Sequence, residues 1–287
     1  MMEFKKNILL AAFRTARLWL SLRSMKPLVD AKRHGPVVCL TSHGKRVATA
    51  WLAIESIGSG TVKPSRLILW LDMKQKGQPL PHQILQQMSR GLEVKYGSDG
   101  LGPHAKYYNY IDESESFVSD LVTADDDILY PPHWLDGLLK SVKADAAEII
   151  CYRAHRIQLS EGRFLPYKQW ARCRSTEPST LHFATGVSGV LYPPKMQAAL
   201  KQAGKQFLTC TPKADDIWLH AVAIRNGFKI KQVHPTRLHF PAILGDKEAP
   251  LHAQNIHMHA NDQQIQDTYT AGDLALLQTE ASLMPKQ

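Results

Sequence analysis

Short apolar runs alternate with stretches of helical periodicity through the first third of the chain. Residues 36–42, 66–71 and 92–96 have the length and apolar character of buried strands. Residues 46–57 and 79–90 lie between them, with apolar positions at helical spacing and a glycine after each. Because strands that alternate with helices usually pair in parallel, this pattern predicts a parallel sheet with crossover helices.

The same alternation continues further along the chain, with turn signals between the elements. The expected elements are strands 117–124 and 147–152, helices 131–143, 193–206 and 212–226, and a hairpin around Ser160-Glu161-Gly162. Regularity fades from Leu238 onward, and we expect the last dozen residues to fray. The pattern therefore predicts an α/β domain followed by a less regular tail.

The N-terminal residues predict an amphipathic helix over 8–22. One stripe of this helix is apolar, and Arg14 and Arg17 lie on the opposite side. Arg14 also interrupts any signal-peptide core, and no apolar run in the chain reaches the length of a membrane span. Two interpretations stay open: a helix that lies in an anionic membrane surface, and a helix that packs on the domain.

Basic residues outnumber acidic residues by 35 to 26, which gives a net charge of +9. Such a surplus suits an anionic partner, whether nucleic acid, acidic lipid or a phosphorylated substrate. The basic residues are spread along the chain without a nucleic-acid-binding motif, so nucleic acid is not an expected partner. The four cysteines are scattered and lack zinc-site spacing, which favours thiols in a reducing, cytoplasmic setting.

Three adjacent carboxylates, Asp125, Asp126 and Asp127, follow the predicted fourth strand directly. Carboxylates this close repel one another unless a cation neutralises them. The carboxyl ends of parallel strands are also where α/β proteins bind their ligands. Oxygen ligands at this density suit a hard ion such as Mg²⁺ or Mn²⁺. The triplet therefore predicts a metal site, with a solvated acidic turn as the alternative.

The triplet, followed by Ile-Leu-Tyr-Pro-Pro-His-Trp-Leu, resembles the metal-binding acidic motif of GT-A-fold glycosyltransferases. In that family the motif also lies between a strand and a helix. The resemblance implies that Asp125 reaches the ribose or base side of a nucleotide. It implies that Asp127, with Asp125, binds the metal that bridges the diphosphate, and that Asp126 supports them.

Two earlier stretches resemble the nucleotide side of the same family. Residues 38–46 resemble its first strand and adjoining loop, which implies nucleotide contacts from Thr41 and Arg46. Residues 102–108 resemble the loop before the acidic motif in family 2-like bacterial surface-polysaccharide transferases, where a lysine, here Lys106, faces the nucleotide sugar. Both cations would neutralise a diphosphate, although exposed basic side chains often have no such role.

Two later stretches resemble the side of the family's site that faces donor and acceptor. Residues 185–194 resemble its glycine loop, where Gly186 and Gly189 would let the backbone approach a ligand; a plain turn is the alternative. Asp215 and Asp216 resemble the acidic pair that opens a helix and supplies the catalytic base in inverting members, with Asp216 the stronger candidate. Compensation of the helix N-terminus is the competing interpretation.

Together these motifs, over residues 36–240, imply a GT-A-like fold, a mixed and mainly parallel α/β sheet flanked by helices. They imply a hexosyltransferase-type enzyme that uses Mn²⁺ or Mg²⁺. It would move a sugar from a nucleotide-diphosphate sugar, UDP-linked above all, to a saccharide or lipid-linked acceptor in bacterial surface glycan synthesis. The sugar, the acceptor, the stereochemical outcome and the oligomeric state stay open.

Two other functions are weighed against this one. A metal-dependent phosphohydrolase would use the same acids and the late histidines. The resemblance to GT-A enzymes makes His239 or His257 a candidate for completing the metal site, but an ordinary hydrogen-bonded surface or core histidine is the favoured interpretation, and neither is counted among the predicted metal ligands. A basic nucleic-acid-binding module is the less favoured alternative.

The expected organisation is a membrane-associating or packing helix (1–30), a GT-A-like catalytic domain (31–245) and a C-terminal extension of that domain (246–287). We expect a cytoplasmic protein; if the N-terminal helix lies in a membrane surface and does not pack on the domain, its contact is peripheral, on the inner face of the cytoplasmic membrane.

Overall fold

A seven-stranded sheet forms the centre of the computed structural model, which describes residues 18–32, 34–243 and 260–283. The strands in chain order are β1 (Val37–Ser42), β2 (Arg66–Asp72), β3 (Leu92–Gly97), β4 (Leu121–Thr123), β5 (Glu148–Cys151), β6 (Ala154–Arg156), β7 (Leu159–Ser160), β8 (Arg163–Phe164), β9 (Ala171–Arg172), β10 (His182–Ala184), β11 (Val190–Tyr192) and β12 (Lys229–Gln232). The large sheet has the order β12-β5-β11-β4-β1-β2-β3. Its strands run parallel except β11, which is antiparallel to both neighbours.

Helices cover both faces of this sheet. They are α1 (residues 18–22), α2 (Val47–Gly58), α3 (His82–Met88), α4 (Ala105–Glu113), α5 (Trp134–Ser141), α6 (Pro194–Ala203), α7 (Phe207–Cys210), α8 (Asp215–Arg225), α9 (Ala260–Thr268) and α10 (Ala271–Leu283). Alternate residues of a strand point to opposite faces. Accordingly, Val38 and Leu40 pack into one core with α2, α3 and α5, whereas Val37 and Cys39 pack into another with α4, α6 and α8.

This arrangement confirms the predicted fold class, a mixed and mainly parallel α/β sheet flanked by helices. One expectation within it is wrong, because residues 102–108 are not a loop throughout. A 3₁₀ turn over Gly102–His104 leads directly into α4. The glycine and proline of that turn suggest a loop, but the tyrosines that follow are buried and anchor a helix against the sheet.

The C-terminal region departs furthest from the prediction. α9 and α10 are regular helices where fading regularity and fraying are expected, and only residues 284–287 of the expected frayed end lie outside the described residues. Their order comes from contacts with α8. Arg225 Nη2 lies 2.6 Å from the buried Asp273 carboxylate, and the Tyr269 hydroxyl lies 2.7 Å from His220 Nδ1. Periodicity alone does not reveal such tertiary contacts.

The described part of the N-terminal segment packs against α2 and α3. Leu18 and Leu22 are buried, and Ser21 Oγ donates to Glu55 Oε1 at 2.7 Å. Residues 1–17, which hold most of the predicted amphipathic helix, lie outside the described residues. Within the described ranges, every helix is too short or too polar to cross a bilayer.

A buried ion pair joins α2 to the end of α3 and to the N-terminal segment. Arg90 donates to both oxygens of Glu55, at 2.8 and 3.0 Å, and the two side chains are 3% and 0% exposed. Gln87 Nε2 donates to the same carboxylate at 3.0 Å, and Arg90 Nε donates to the Lys26 carbonyl at 2.8 Å. Each charge is therefore compensated by several short contacts.

We predict that Glu55→Gln lowers the free energy of unfolding by about 3–5 kcal/mol, because it leaves the Arg90 charge buried without a counter-charge. The matched control is Glu113→Gln, which removes a carboxylate paired with Lys95 at the surface, where both side chains are about one third exposed. The control should lose less than about 1 kcal/mol. Urea unfolding measures both values, and equal losses would contradict the prediction.

Candidate active site

The predicted site residues converge where the parallel strands end. Arg46 follows β1 and the acidic triplet follows β4, so both lie at the carboxyl edge of the sheet. Gly186 lies in the loop before β11, and this loop meets the same edge because β11 runs antiparallel to β4. Asp215 and Asp216 form the first turn of α8 beside that loop.

Arg46 binds two carboxylates of the acidic triplet, the buried Asp126 and the partly exposed Asp127. Its Nη2 lies 2.5 Å from Asp126 Oδ1 and 2.7 Å from Asp127 Oδ2. Burial raises the pKa of Asp126 to about 7, and the adjacent guanidinium counters only part of this shift. The side chains of Asp125 and Asp127 keep 25% and 32% of their exposure. Asp126 thus supports the turn from inside, and its two neighbours face outward.

A buried ammonium connects the triplet to the acidic pair of α8. Lys106 Nζ lies 3.3 Å from Asp125 Oδ1 and 2.9 Å from Asp215 Oδ2, and its side chain is 9% exposed. Burial opposes the charged form, but the carboxylates of Asp125, Asp215 and Asp216 outweigh it and raise the pKa of Lys106 well above its usual value. Lys106 therefore carries a positive charge at neutral pH.

Asp216 is a partly buried carboxylate with a fixed orientation. Its Oδ1 accepts a hydrogen bond from the Gly186 N–H at 2.8 Å. Burial first, and then the Asp215 carboxylate, raise the pKa of Asp216, whereas Lys106 and the Gly186 N–H lower it. Neither acid caps α8 through a side-chain hydrogen bond, because the N-cap residue is Ala214. An electrostatic role in the first turn remains compatible with this geometry.

The two predicted glycines are required for different contacts. A Cβ at Gly186 would lie 2.7 Å from Lys106 Nζ and 3.1 Å from Asp216 Oδ1, so a side chain there would displace the ammonium or the carboxylate. Gly189 has a φ of 94°, and a Cβ there would lie 2.6 Å from the ring of Trp134. Gly186 thus shapes the site itself, whereas Gly189 shapes the turn and the packing behind it.

The hydroxyl of Thr41, a predicted nucleotide contact, is hydrogen-bonded within the sheet, because its Oγ1 donates to the Trp70 carbonyl at 3.0 Å.

Sequence reasoning missed Tyr130, whose buried hydroxyl accepts the backbone N–H of Asp125 at 2.7 Å and holds the start of the triplet. Tyr130 lies three residues after the acidic triplet, within the stretch that resembles the GT-A acidic motif, and this position is the sequence signal that could have identified it.

Of the two candidate metal-binding histidines, only His239 lies among the described residues, and it forms no metal-binding group with the carboxylates there. His239 lies beside Arg153 and Arg237; burial and these two guanidinium groups lower the pKa of its imidazole. His257 lies outside the described residues.

The carboxylates suit an open metal site, which water and substrate phosphates complete, and not a closed protein cage. Residues 18–32, 34–243 and 260–283 contain no group of three His, Cys, Asp or Glu side chains arranged to hold a metal, so a closed protein cage is not found there. Mg²⁺ often keeps several waters and is bound by one or two carboxylates together with substrate phosphates. The outward-facing Asp125 and Asp127 fit that open mode, and Asp126 Oδ2 beside them is buried without a hydrogen-bond partner.

The sequence matches no protein-family model and no curated protein. Among solved structures, TarS 1–349 of S. aureus is similar in layout, with 11% identity, a TM-score of 0.45 and coverage of 72% of this chain and 59% of TarS 1–349. Its complex with UDP has 12% identity, a TM-score of 0.44 and the same coverage. The 4-diphosphocytidyl-2C-methyl-D-erythritol synthase of Anaerococcus prevotii has 11% identity, a TM-score of 0.47 and coverage of 71% and 90%. This chain therefore spans less than two thirds of TarS 1–349, and values this low establish neither a shared family nor a shared activity.

Proposed function

We propose that this chain is a metal-dependent glycosyltransferase that uses a nucleotide-diphosphate sugar. The observation that carries the proposal is the position of Lys106, whose ammonium contacts both the acidic triplet and the acidic pair. Sugar transfer needs positive charge at the departing diphosphate and a base for the acceptor hydroxyl. The acidic triplet and the acidic pair, which suit these two tasks, lie at one edge of the sheet, and the Lys106 side chain contacts both.

The acidic triplet and its two cations form the proposed donor side. Asp125 and Asp127 would hold Mn²⁺ or Mg²⁺, and a metal there would supply Lewis-acid stabilisation for the leaving diphosphate. Arg46 holds the carboxylates of Asp126 and Asp127 in position through its ion pairs with both. Lys106 places a further positive charge beside Asp125, where the negative charge of the diphosphate would develop.

The acidic pair forms the proposed acceptor side, with Asp216 as the catalytic base. A general base works best when its pKa lies near the working pH, and burial shifts the pKa of Asp216 upward in that direction. The acceptor hydroxyl oxygen would bond to the anomeric carbon while the bond from that carbon to the diphosphate breaks. Asp216 would accept the hydroxyl proton, and Asp215 would hold Lys106 in place.

The proposed donor is a UDP-sugar, and the proposed acceptor is a saccharide or a lipid-linked saccharide of a bacterial surface glycan. The motifs over residues 36–240 support this choice by their resemblance to GT-A glycosyltransferases. A phosphohydrolase is less well supported, because His239 lies among arginines and not beside the acids.

We predict that two isosteric variants separate the donor and acceptor sides. Asp127→Asn should weaken UDP binding in the presence of Mn²⁺ and lower turnover as well. Asp216→Asn keeps an oxygen for the Gly186 N–H but loses its basicity, so UDP affinity should stay within about threefold while turnover falls by roughly 10²–10⁴. Calorimetry with UDP, and nucleotide release from a panel of donors, measure the two effects.

Three results would count against this assignment. Equal UDP affinity with Mn²⁺ and with EDTA would exclude the metal's role. Wild-type turnover in Asp216→Asn would remove that residue as the base. Unchanged metal-dependent binding in Asp127→Asn would remove Asp127 as a ligand.

We also propose peripheral contact with an anionic membrane through the N-terminal segment, above all residues 1–17, because the sequence predicts an amphipathic helix with Arg14 and Arg17 opposite its apolar stripe. Full-length protein should co-sediment with phosphatidylglycerol vesicles at low salt and be released at high salt. A chain that starts at residue 18 retains Leu18, Leu22 and the Ser21 contact, and it should stay in the supernatant. Equal co-sedimentation of both chains would contradict the proposal.

A further inference from the structure

Two arginines lie side by side at the carboxyl edge of the sheet, on the half away from Arg46. Arg153 directly follows Tyr152 at the end of β5, and Arg237 comes after β12, the parallel neighbour of β5. The Leu238 N–H donates to the Tyr152 carbonyl at 3.2 Å, which brings the backbones next to Arg237 and Arg153 together.

A third arginine belongs to a separate three-stranded sheet, which has the order β10-β6-β9 and whose middle strand, β6, follows directly after β5. Arg172 on β9 pairs with His155 on β6, and His155 is two residues after Arg153. This pairing places the backbone of Arg172 beside the segment that carries Arg153. Burial, and then the positive charges of Arg153 and Arg172, lower the pKa of Arg237, as expected for like charges that repel one another.

The positive charge of this cluster is not neutralised by the described part of the protein. Among the described residues, none of the three arginines forms an ion pair with a carboxylate, in contrast to Arg225, which binds Asp273. Arg153 Nε is shielded from solvent and has no hydrogen-bond partner. A buried N–H donor without a partner, such as Arg153 Nε, is unfavourable, so a ligand that accepts its hydrogen bond would be stabilised here. The side chain of Arg172 is exposed and that of Arg237 is partly exposed, so an anionic ligand from solvent can reach both.

The cluster adjoins the proposed base. The Thr185 N–H donates to the Arg153 carbonyl at 3.0 Å, and the next N–H along the chain, that of Gly186, donates to Asp216 Oδ1. β5 and β12 lie on one side of β4, whereas β1 with its donor-side Arg46 lies on the other. An anion bound by the cluster would therefore approach Asp216 from the side opposite the proposed diphosphate position.

We propose that Arg153, Arg172 and Arg237 bind a phosphate group of the acceptor, and that this phosphate places the acceptor hydroxyl beside Asp216. The inference rests on the proposed function and narrows its acceptor to a phosphate-bearing molecule, a sugar phosphate or a lipid phosphate. Guanidinium groups suit this ligand, because each presents a planar pair of N–H donors to two phosphate oxygens.

The test titrates inorganic phosphate into protein already saturated with UDP and Mg²⁺, so that the donor side is occupied. Calorimetry should show a second binding event in the wild type. The double variant Arg172→Gln/Arg237→Gln should weaken it by at least about tenfold while UDP affinity stays within about threefold. Arg174→Gln is the matched control, since it removes the same charge from an exposed arginine two residues beyond Arg172 and should change neither affinity.

The outcomes distinguish the inference from the proposed function. If wild-type protein with bound UDP takes no phosphate, or if the double variant binds phosphate as well as the wild type, the inference is overturned and the proposed function stands. If UDP itself does not bind, the proposed function falls, and the inference falls with it. Repeating the titration with glucose 1-phosphate and with dihexanoyl phosphatidic acid identifies the source, since the tighter ligand marks a sugar phosphate or a lipid phosphate.

Discussion

The ion pairs of the Lys106 ammonium are the interaction on which the side-chain arrangement at the carboxyl edge of the sheet depends. The ammonium contacts Asp125 and Asp215, and its charge also acts on Asp216, so one cation compensates three carboxylates that would otherwise repel one another. These ion pairs require that α4 place Lys106 at the carboxyl edge of the sheet. They also require a glycine at position 186, because a Cβ there would overlap the ammonium. One charge thus constrains both α4, which carries Lys106, and the loop that contains Gly186.

α8 needs support of its own, because it presents the acidic pair at its first turn. The C-terminal helices provide this support at both ends. Gln264 Oε1 accepts the Lys213 N–H at 2.9 Å and the Thr211 hydroxyl at 3.3 Å, just before the pair. At the other end, Arg225 binds the buried Asp273. A region that looks irregular in sequence therefore orients the proposed base.

The sequence predicted those features that depend on local pattern. The parallel strands follow from apolar runs and glycine punctuation, and the acidic groups follow from their place after a strand and at a helix start. The pairing of charges could not be predicted in the same way, since Arg46 and Asp126 are 80 positions apart and meet only because β1 and β4 are neighbours. The helix that carries Lys106 was missed because the Gly-Pro turn before it signals a loop, while tertiary burial of its tyrosines decides the outcome.

The Lys106 charge lowers the pKa of the proposed base, Asp216, against the effect of burial. Carbon-13 NMR of the aspartate carboxyl groups, followed over a pH titration, measures this directly in the wild type and in Lys106→Met, which keeps a side chain of similar length without the charge. In the wild type the pKa of Asp216 should lie well above the usual range of an aspartate. Removing a cation that lowers it should raise it further in Lys106→Met. An Asp216 titration that is the same in both proteins would contradict the account.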